Sequence, residues 1–163
     1  LVTPDDPIVV TRTYSKTWSM AGARLGYLVG PTWLVDELSE VVLPYHLDAF
    51  KQAAGRVALR FEAEMHARVA TLVEERGRVS AAMAEMNVTV WPSASNFILF
   101  RPEAVLGDEV WKRLLDHSVL VRNCASWPRL EGCLRLTLGN AEENDRFLAA
   151  LTDVLESANL ETA

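Results

Sequence analysis

Ser15-Lys16-Thr17-Trp18-Ser19-Met20-Ala21-Gly22-Ala23-Arg24-Leu25-Gly26 is the segment on which the fold turns. Hydroxyls and two glycines crowd it, and Lys16 and Arg24 are its only charges. That mixture predicts a loop with room for one short helical turn. On one side lies Ile8-Val9-Val10, an apolar run after the turn signal Pro4-Asp5-Asp6-Pro7. On the other lies Tyr27-Leu28-Val29, closed by Gly30-Pro31. Short apolar runs bounded by turn signals read as strands, the first of them buried on both faces. A strand, a loop and a strand in this order have the texture of an α/β layer.

Lys16 stands out within the loop. The chain holds three lysines against thirteen arginines. Lys51 begins a helical stretch and Lys112 takes a polar helical position, so both read as solvated. Lys16 follows a buried strand and sits between Ser15 and Thr17. In a partly desolvated place an amine sheds its proton more readily and becomes a nucleophile. The plain alternative is a surface lysine on a loop.

Downstream, Thr32 is placed to cap a helix running to about Val42, with Pro44 interrupting. From Lys51 to Met86 apolar residues recur at steps of three and four, among them Val57, Phe61, Met65, Val69, Val73, Val79 and Met83. The stripe predicts a helix with a core face, or alternatively a coiled-coil or partner face. It is long enough that a break is expected, at Gly77 or just before Glu64. After Asn87, Val88-Thr89-Val90 and Phe97 to Phe100 read as strands, and Gly107 to His117 as an amphipathic helix. Val119-Leu120-Val121 and Cys133 to Leu138 read as further strands. Asn140 with Glu143 forms a capping-box pair at the start of a last helix. Phe147, Leu148, Leu151, Val154 and Leu155 form its stripe, and fraying is expected from about Ser157. The expected organisation is therefore residues 1–45 as strands and loops of an α/β layer, then 46–163 as an α+β unit: a long helix followed by β-β-α-β-β-α.

The chain has 163 residues, 50% of them hydrophobic, and a net charge of -6. That composition is globular, not disordered. An acidic balance without clustered Lys and Arg argues against a dedicated nucleic-acid binder. No run approaches the ~18 apolar residues of a membrane span, and no signal peptide is visible. Cys124 and Cys133 make neither a disulfide framework nor a metal site; they read as buried apolar residues in a reducing cytosol, with a catalytic thiol as the alternative. The first residue is Leu1, and a core strand follows almost at once. This suggests a piece of a longer protein.

In Leu134-Arg135-Leu136-Thr137-Leu138 three leucines alternate with two polar residues. The leucines take one face of a strand, and Arg135 and Thr137 take the other, which is either solvent or a cleft. Thirteen residues earlier stands Arg122, which alone reads as an arginine at a strand end.

Two of these strings resemble a known family. Ser15-Lys16, a short spacer and Gly22-Ala23-Arg24-Leu25-Gly26 resemble the lysine motif of fold-type I pyridoxal-phosphate enzymes. Gly132-Cys133-Leu134-Arg135-Leu136-Thr137-Leu138-Gly139, followed by Glu142-Glu143-Asn144, is similar to the C-terminal signature of the histidinol-phosphate aminotransferases. Leu43-Pro44-Tyr45-His46-Leu47 and Ser93-Ala94-Ser95-Asn96-Phe97 fall in the family's order. Asp48 stands where a Ser is expected, which should affect only a helix start. Asn96 fits a family position but reads as structure at the start of a strand.

The resemblance implies an α/β fold: part of the pyridoxal-phosphate-dependent transferase large domain, then a small C-terminal domain. It implies pyridoxal 5'-phosphate as cofactor, with Lys16 carrying the Schiff base and moving the proton. Arg24, Ser15 and Thr13 would anchor the cofactor phosphate, since hydroxyls and a guanidinium offer charge-assisted hydrogen bonds. Arg24 without that role is a surface salt-bridge residue. Arg135 and Arg122 would hold the substrate anion through bidentate forks. The implied partners are small molecules, a phosphorylated amino alcohol such as histidinol phosphate and 2-oxoglutarate, and a second subunit in a cytoplasmic homodimer, with no metal, nucleic acid or membrane. Trp127 and Arg129, in the loop Asn123 to Leu130, lie near the expected substrate and leave the amine open. The family is about twice this length, and its other half supplies an Asp for the pyridine nitrogen, so the chain alone is expected to be inactive. A related aromatic aminotransferase, a phospho-amino-acid decarboxylase or a non-catalytic folding module are the alternatives.

Overall fold

The structure, a computed structural model, describes residues 3–161, with side chains described through 158. The start of the chain at Leu1 lies outside the described residues. The chain divides into two compact units, Leu1–Val69 and Ala70–Ala163.

In the first unit, β1 (Val10–Thr13) and β2 (Gly26–Val29) pair antiparallel, with Val10 opposite Val29 and Thr13 opposite Gly26. The segment between them closes on itself: Tyr14 N donates to Leu25 O at 3.0 Å, and Met20 N donates to Tyr14 O at 3.1 Å. One 3₁₀ turn, Ala21–Ala23, forms within it, the short helical turn that the mixed composition predicts. Tyr14 and Leu25 are the buried large apolar residues of this unit. Gly55 of helix α2 (Ala49–Ala58) presses against them; a Cβ there would lie 2.6 Å from Leu25 Cδ2.

Three expectations for this unit are corrected. Ile8 and Val9 are not buried on both faces: they precede β1 and are 46% and 36% exposed, because no second layer of the described chain covers them. Thr32 does not cap α1 (Thr32–Val41). It is the first helical residue, and Pro31, extended at ψ 146°, stands at the cap without a side-chain bond. The expected stripe is only partly a core face, since Val57 and Phe61 are about half exposed. Asp48 is a true cap, accepting from Lys51 N at 2.9 Å, and its carboxyl is held below the usual range by that bond and by the Lys51 ammonium.

The long helical stretch breaks at a 3₁₀ turn, Leu59–Phe61, just before α3 (Glu62–Ala84). Gly77, the other candidate, lies inside α3 and causes no break. The division between the units falls within α3.

The second unit follows the expected element order: β3 (Val88–Val90), β4 (Phe97–Pro102), α4 (Gly107–Asp116), β5 (Arg122–Asn123), β6 (Leu134–Thr137) and α5 (Ala141–Glu161). The sheet order is β3-β4-β6-β5, antiparallel throughout. Ile98, Phe100, Leu134 and Leu136 project from one sheet face into a core completed by Val79 and Met83 of α3, Val110 and Leu114 of α4, and Phe147, Leu151 and Val154 of α5. Phe100 and Phe147 meet edge to face at 5.9 Å. At the start of α5 the capping box is complete: Glu143 N donates to Asn140 Oδ1, and Asn140 N donates to Glu143 Oε2, each at 2.9 Å. α5 continues through Glu161, beyond the expected fraying at Ser157.

The strand expected at Val119-Leu120-Val121 is displaced to Arg122–Asn123. Val121 O is taken by Trp111 Nε1, which donates to it at 3.0 Å, and Val119 N donates to Leu114 O at 2.9 Å. With those groups bonded to α4, the segment is unavailable to a sheet ladder. Among the described residues no helix is long and apolar enough to cross a membrane.

Candidate active site

The loop between β1 and β2 gathers four of the expected residues. Thr13 ends β1, and its Oγ1 donates to Ser15 Oγ at 2.8 Å while accepting from Ser15 N at 3.0 Å. The two hydroxyls are thus adjacent and share one side of the turn. Lys16 follows, its carbonyl accepting from Ser19 N at 3.0 Å to close a tight turn that sets Ser19 at φ 55°. The Lys16 side chain is exposed, not partly desolvated as expected. Tyr14 and Leu25 are buried in this unit, and Lys16 stands outside that packing.

Arg24 is left-handed at φ 52°, unusual for a residue with a Cβ. Its Nη1 makes only a 3.4 Å contact with Ala21 O. Gly26 is required by the fold: a Cβ there would lie 2.6 Å from Arg12 O. Gly22 has open space around it, with nothing within 4 Å of a built Cβ. One loop thus carries an amine, two hydrogen-bonded hydroxyls and a guanidinium, with Thr13, Lys16 and Arg24 exposed. These donors fit a ligand bearing an aldehyde and a phosphate.

The second group lies on the sheet of the other unit. Arg122 and Arg135 stand directly opposite each other on β5 and β6, and Leu99 of β4 is opposite Arg135 on its other side. They share the sheet face away from the core. Arg135 is half-buried and Arg122 exposed. Like charges directly opposed across strands repel. Among the described residues no carboxylate pairs with either. Each guanidinium instead lies over an aromatic ring: Arg135 Cζ is 5.0 Å from the Phe97 centroid, and Arg122 Cζ is 5.8 Å from that of Trp127. Arg135 Nε is buried with no hydrogen-bond partner among the described residues. Two unpaired cations on one face are suited to an anion.

One network was not foreseen. Glu75, buried on α3, accepts from Arg78 Nε and Nη2 at 2.8 and 2.7 Å and from Asn144 Nδ2 at 2.8 Å. Asn144 also binds both backbone groups of Gly139, accepting from its N and donating to its O. Gly139, two residues beyond the end of β6, is thereby tied to α3. The signal was present: Glu75 falls in phase with the apolar stripe of Leu72, Val79 and Met83. Cys124 and Cys133 are buried free thiols, as expected, and burial pushes the Cys133 thiol up. No cluster of metal-ligating side chains occurs among the described residues.

These two groups carry the strings on which the family resemblance rested, and comparison with known proteins agrees. The histidinol-phosphate aminotransferase of Mycobacterium ulcerans (strain Agy99) is 48% identical over 143 residues, which are 88% of this chain and 36% of that protein. That of Mycobacterium sp. (strain JLS) is 43% identical over 150 residues, 92% of this chain and 38% of that protein. The chain thus spans a little over a third of the length of the curated relatives it matches. Among solved structures, the histidinol-phosphate aminotransferase of Sinorhizobium meliloti, in complex with pyridoxal-5'-phosphate, matches with a TM-score of 0.81 at 26% identity, over 94% of this chain and 42% of that one. The L-threonine-O-3-phosphate decarboxylase of Porphyromonas gingivalis, at 23% identity and a TM-score of 0.75, covers 91% of this chain and 46% of that one and shares the fold. The profile of the family described as aminotransferase class I and II matches residues 1–151, and the chain belongs to that family.

Proposed function

We propose that the protein carrying this chain is a pyridoxal-phosphate-dependent aminotransferase, moving an amino group between histidinol phosphate and 2-oxoglutarate. The observation that carries the reading is the β1–β2 loop, which holds the exposed Lys16, the hydrogen-bonded Thr13 and Ser15 hydroxyls and the exposed, left-handed Arg24. The curated relatives' name supplies the substrate. When bound, the cofactor supplies an electron sink for the carbon that bears the amino group.

The chain's own residues do the rest. Lys16 Nζ holds the cofactor covalently and later moves a proton at the substrate carbon. Arg24, Ser15 and Thr13 bind the cofactor phosphate, the left-handed backbone at Arg24 fixing where its side chain leaves the loop. Arg135 and Arg122 bind the substrate phosphate, or the dicarboxylate of the co-substrate, and an incoming dianion relieves the repulsion between them. Residues 1–45 then serve as the C-terminal part of the cofactor-binding domain and 46–163 as the small domain of a homodimer. The remaining partners are small molecules.

The test is made in the full-length protein. Borohydride reduction should trap pyridoxal phosphate covalently in the wild type and leave Lys16→Ala unlabelled. Trapping of Lys16→Ala at the wild-type yield overturns the assignment.

A further inference from the structure

We propose that Trp127 is a positioning residue for Arg122, holding its guanidinium in place to receive the substrate anion through a cation–π contact. The proposal rests on the reading that Arg122 and Arg135 bind that anion.

A free arginine opposite another arginine has two reasons to leave: repulsion, and the rotamer entropy of a long side chain. Something must hold Arg122 without consuming its hydrogen-bond donors. A carboxylate would hold it but would compete with the ligand. An aromatic face attracts the cation and leaves the N–H edge free. Arg135 has that arrangement over Phe97, and Arg122 has it over Trp127.

Trp127 is itself fixed, although it sits at a hairpin tip and is 42% exposed. Its N donates to Cys124 O at 2.9 Å, and its O accepts from Leu130 N at 3.1 Å. At the neck of the hairpin Cys124 N donates to Cys133 O at 3.0 Å, between two fully packed thiol residues. Asn123 ties the same loop to α4, donating to Asp108 Oδ1 at 2.6 Å and accepting from Ala125 N at 2.9 Å. Arg129 and Gly132, at φ 64° and 71°, let the chain turn back to β6. The connection between the two arginine strands is thus a hydrogen-bonded bracket that sets a ring against one of them. Trp127 lies outside the hydrophobic core of this unit, and its ring faces the Arg122 guanidinium.

Inorganic phosphate is the probe, titrated by calorimetry into the full-length holoenzyme. Trp127→Ala should weaken phosphate binding roughly two- to five-fold, the loss of one partly exposed cation–π contact. Trp127→Phe should recover most of that loss. KM for histidinol phosphate should rise by a similar factor in Trp127→Ala while kcat holds. Arg122→Ala and Arg135→Ala separate the two levels of the argument. If both weaken phosphate binding but Trp127→Ala leaves it unchanged or tightens it, the positioning role is overturned and the anion site stands. If neither arginine variant changes phosphate binding, the anion-site reading falls and this inference falls with it.

Discussion

Gly107 opens α4 with its Cα against the backbone of Gly132; a Cβ would lie 2.2 Å from Gly132 O and 2.7 Å from its C. Neither contact is with a flexible side chain, so the backbone itself must shift. Gly107→Ala should cost about 1–3 kcal/mol, the usual range for forcing atoms into a packed place. Gly77, inside α3 with nothing within 4 Å of a built Cβ, should gain about 0.5–1 kcal/mol on replacement by Ala. Urea midpoints for the two variants should move in opposite directions. At this scale the sequence was most legible where chemistry is local. Lys16, Arg24 and the hydroxyls fall within twelve consecutive residues, and Arg135 with Thr137 could be read from alternation. Partners brought by pairing of distant strands were not legible. The opposition of Arg122 and Arg135 needs the β5–β6 register, the ring beneath Arg135 comes from β4, and the exposure of Lys16 depends on what packs in its unit.

Among the elements, the buried Glu75 carboxylate joins α3 to α5 through Asn144, which also holds Gly139 just beyond β6. Hydrogen bonds from Arg78 and then Asn144 lower the Glu75 carboxyl to about 2 from an ordinary 4.5, against a smaller opposing effect of burial. Arg78 in turn reaches Asp145 at 2.7 Å, and its own proton is held more tightly by both carboxylates. A carboxyl that binds its proton more weakly in the folded state stabilises that state above its unfolded value. The contribution of Glu75 is complete above about pH 4.5 and disappears as the pH falls towards about 2. Thermal melting followed between pH 6 and pH 2 should show Tm falling more steeply for the wild type than for Glu75→Gln below pH 4.5. Parallel curves would mean that the carboxylate does not carry the acid sensitivity. Helix periodicity and the Asn140–Glu143 pair made these elements readable, because both depend on residues within one or two turns. The true position of β5 was hidden, because an indole on α4 takes a carbonyl that apolar character alone assigned to a strand.

At the scale of the whole chain, apolar burial is unevenly shared. The core cluster lies in the second unit, while Tyr14 and Leu25 are the main buried apolar side chains of the first. Most of the exposed large apolar residues also belong to the first unit, including Tyr27, Trp33, Leu43, Tyr45 and Phe50. Where such residues form a contiguous patch, they mark a surface that binds something. In the isolated chain the readiest partner is another copy. A net charge of -6 opposes that association through mutual repulsion, and salt screens repulsion without weakening apolar contact. Light scattering on the isolated chain should therefore give an apparent mass above that of a monomer, growing between about 0.01 and about 0.5 M salt as the Debye length contracts. An apolar dye should bind the same preparation. A mass that falls with salt would place charge pairs at the contact, and a clean monomer without dye binding would show that these side chains find cover within the chain itself.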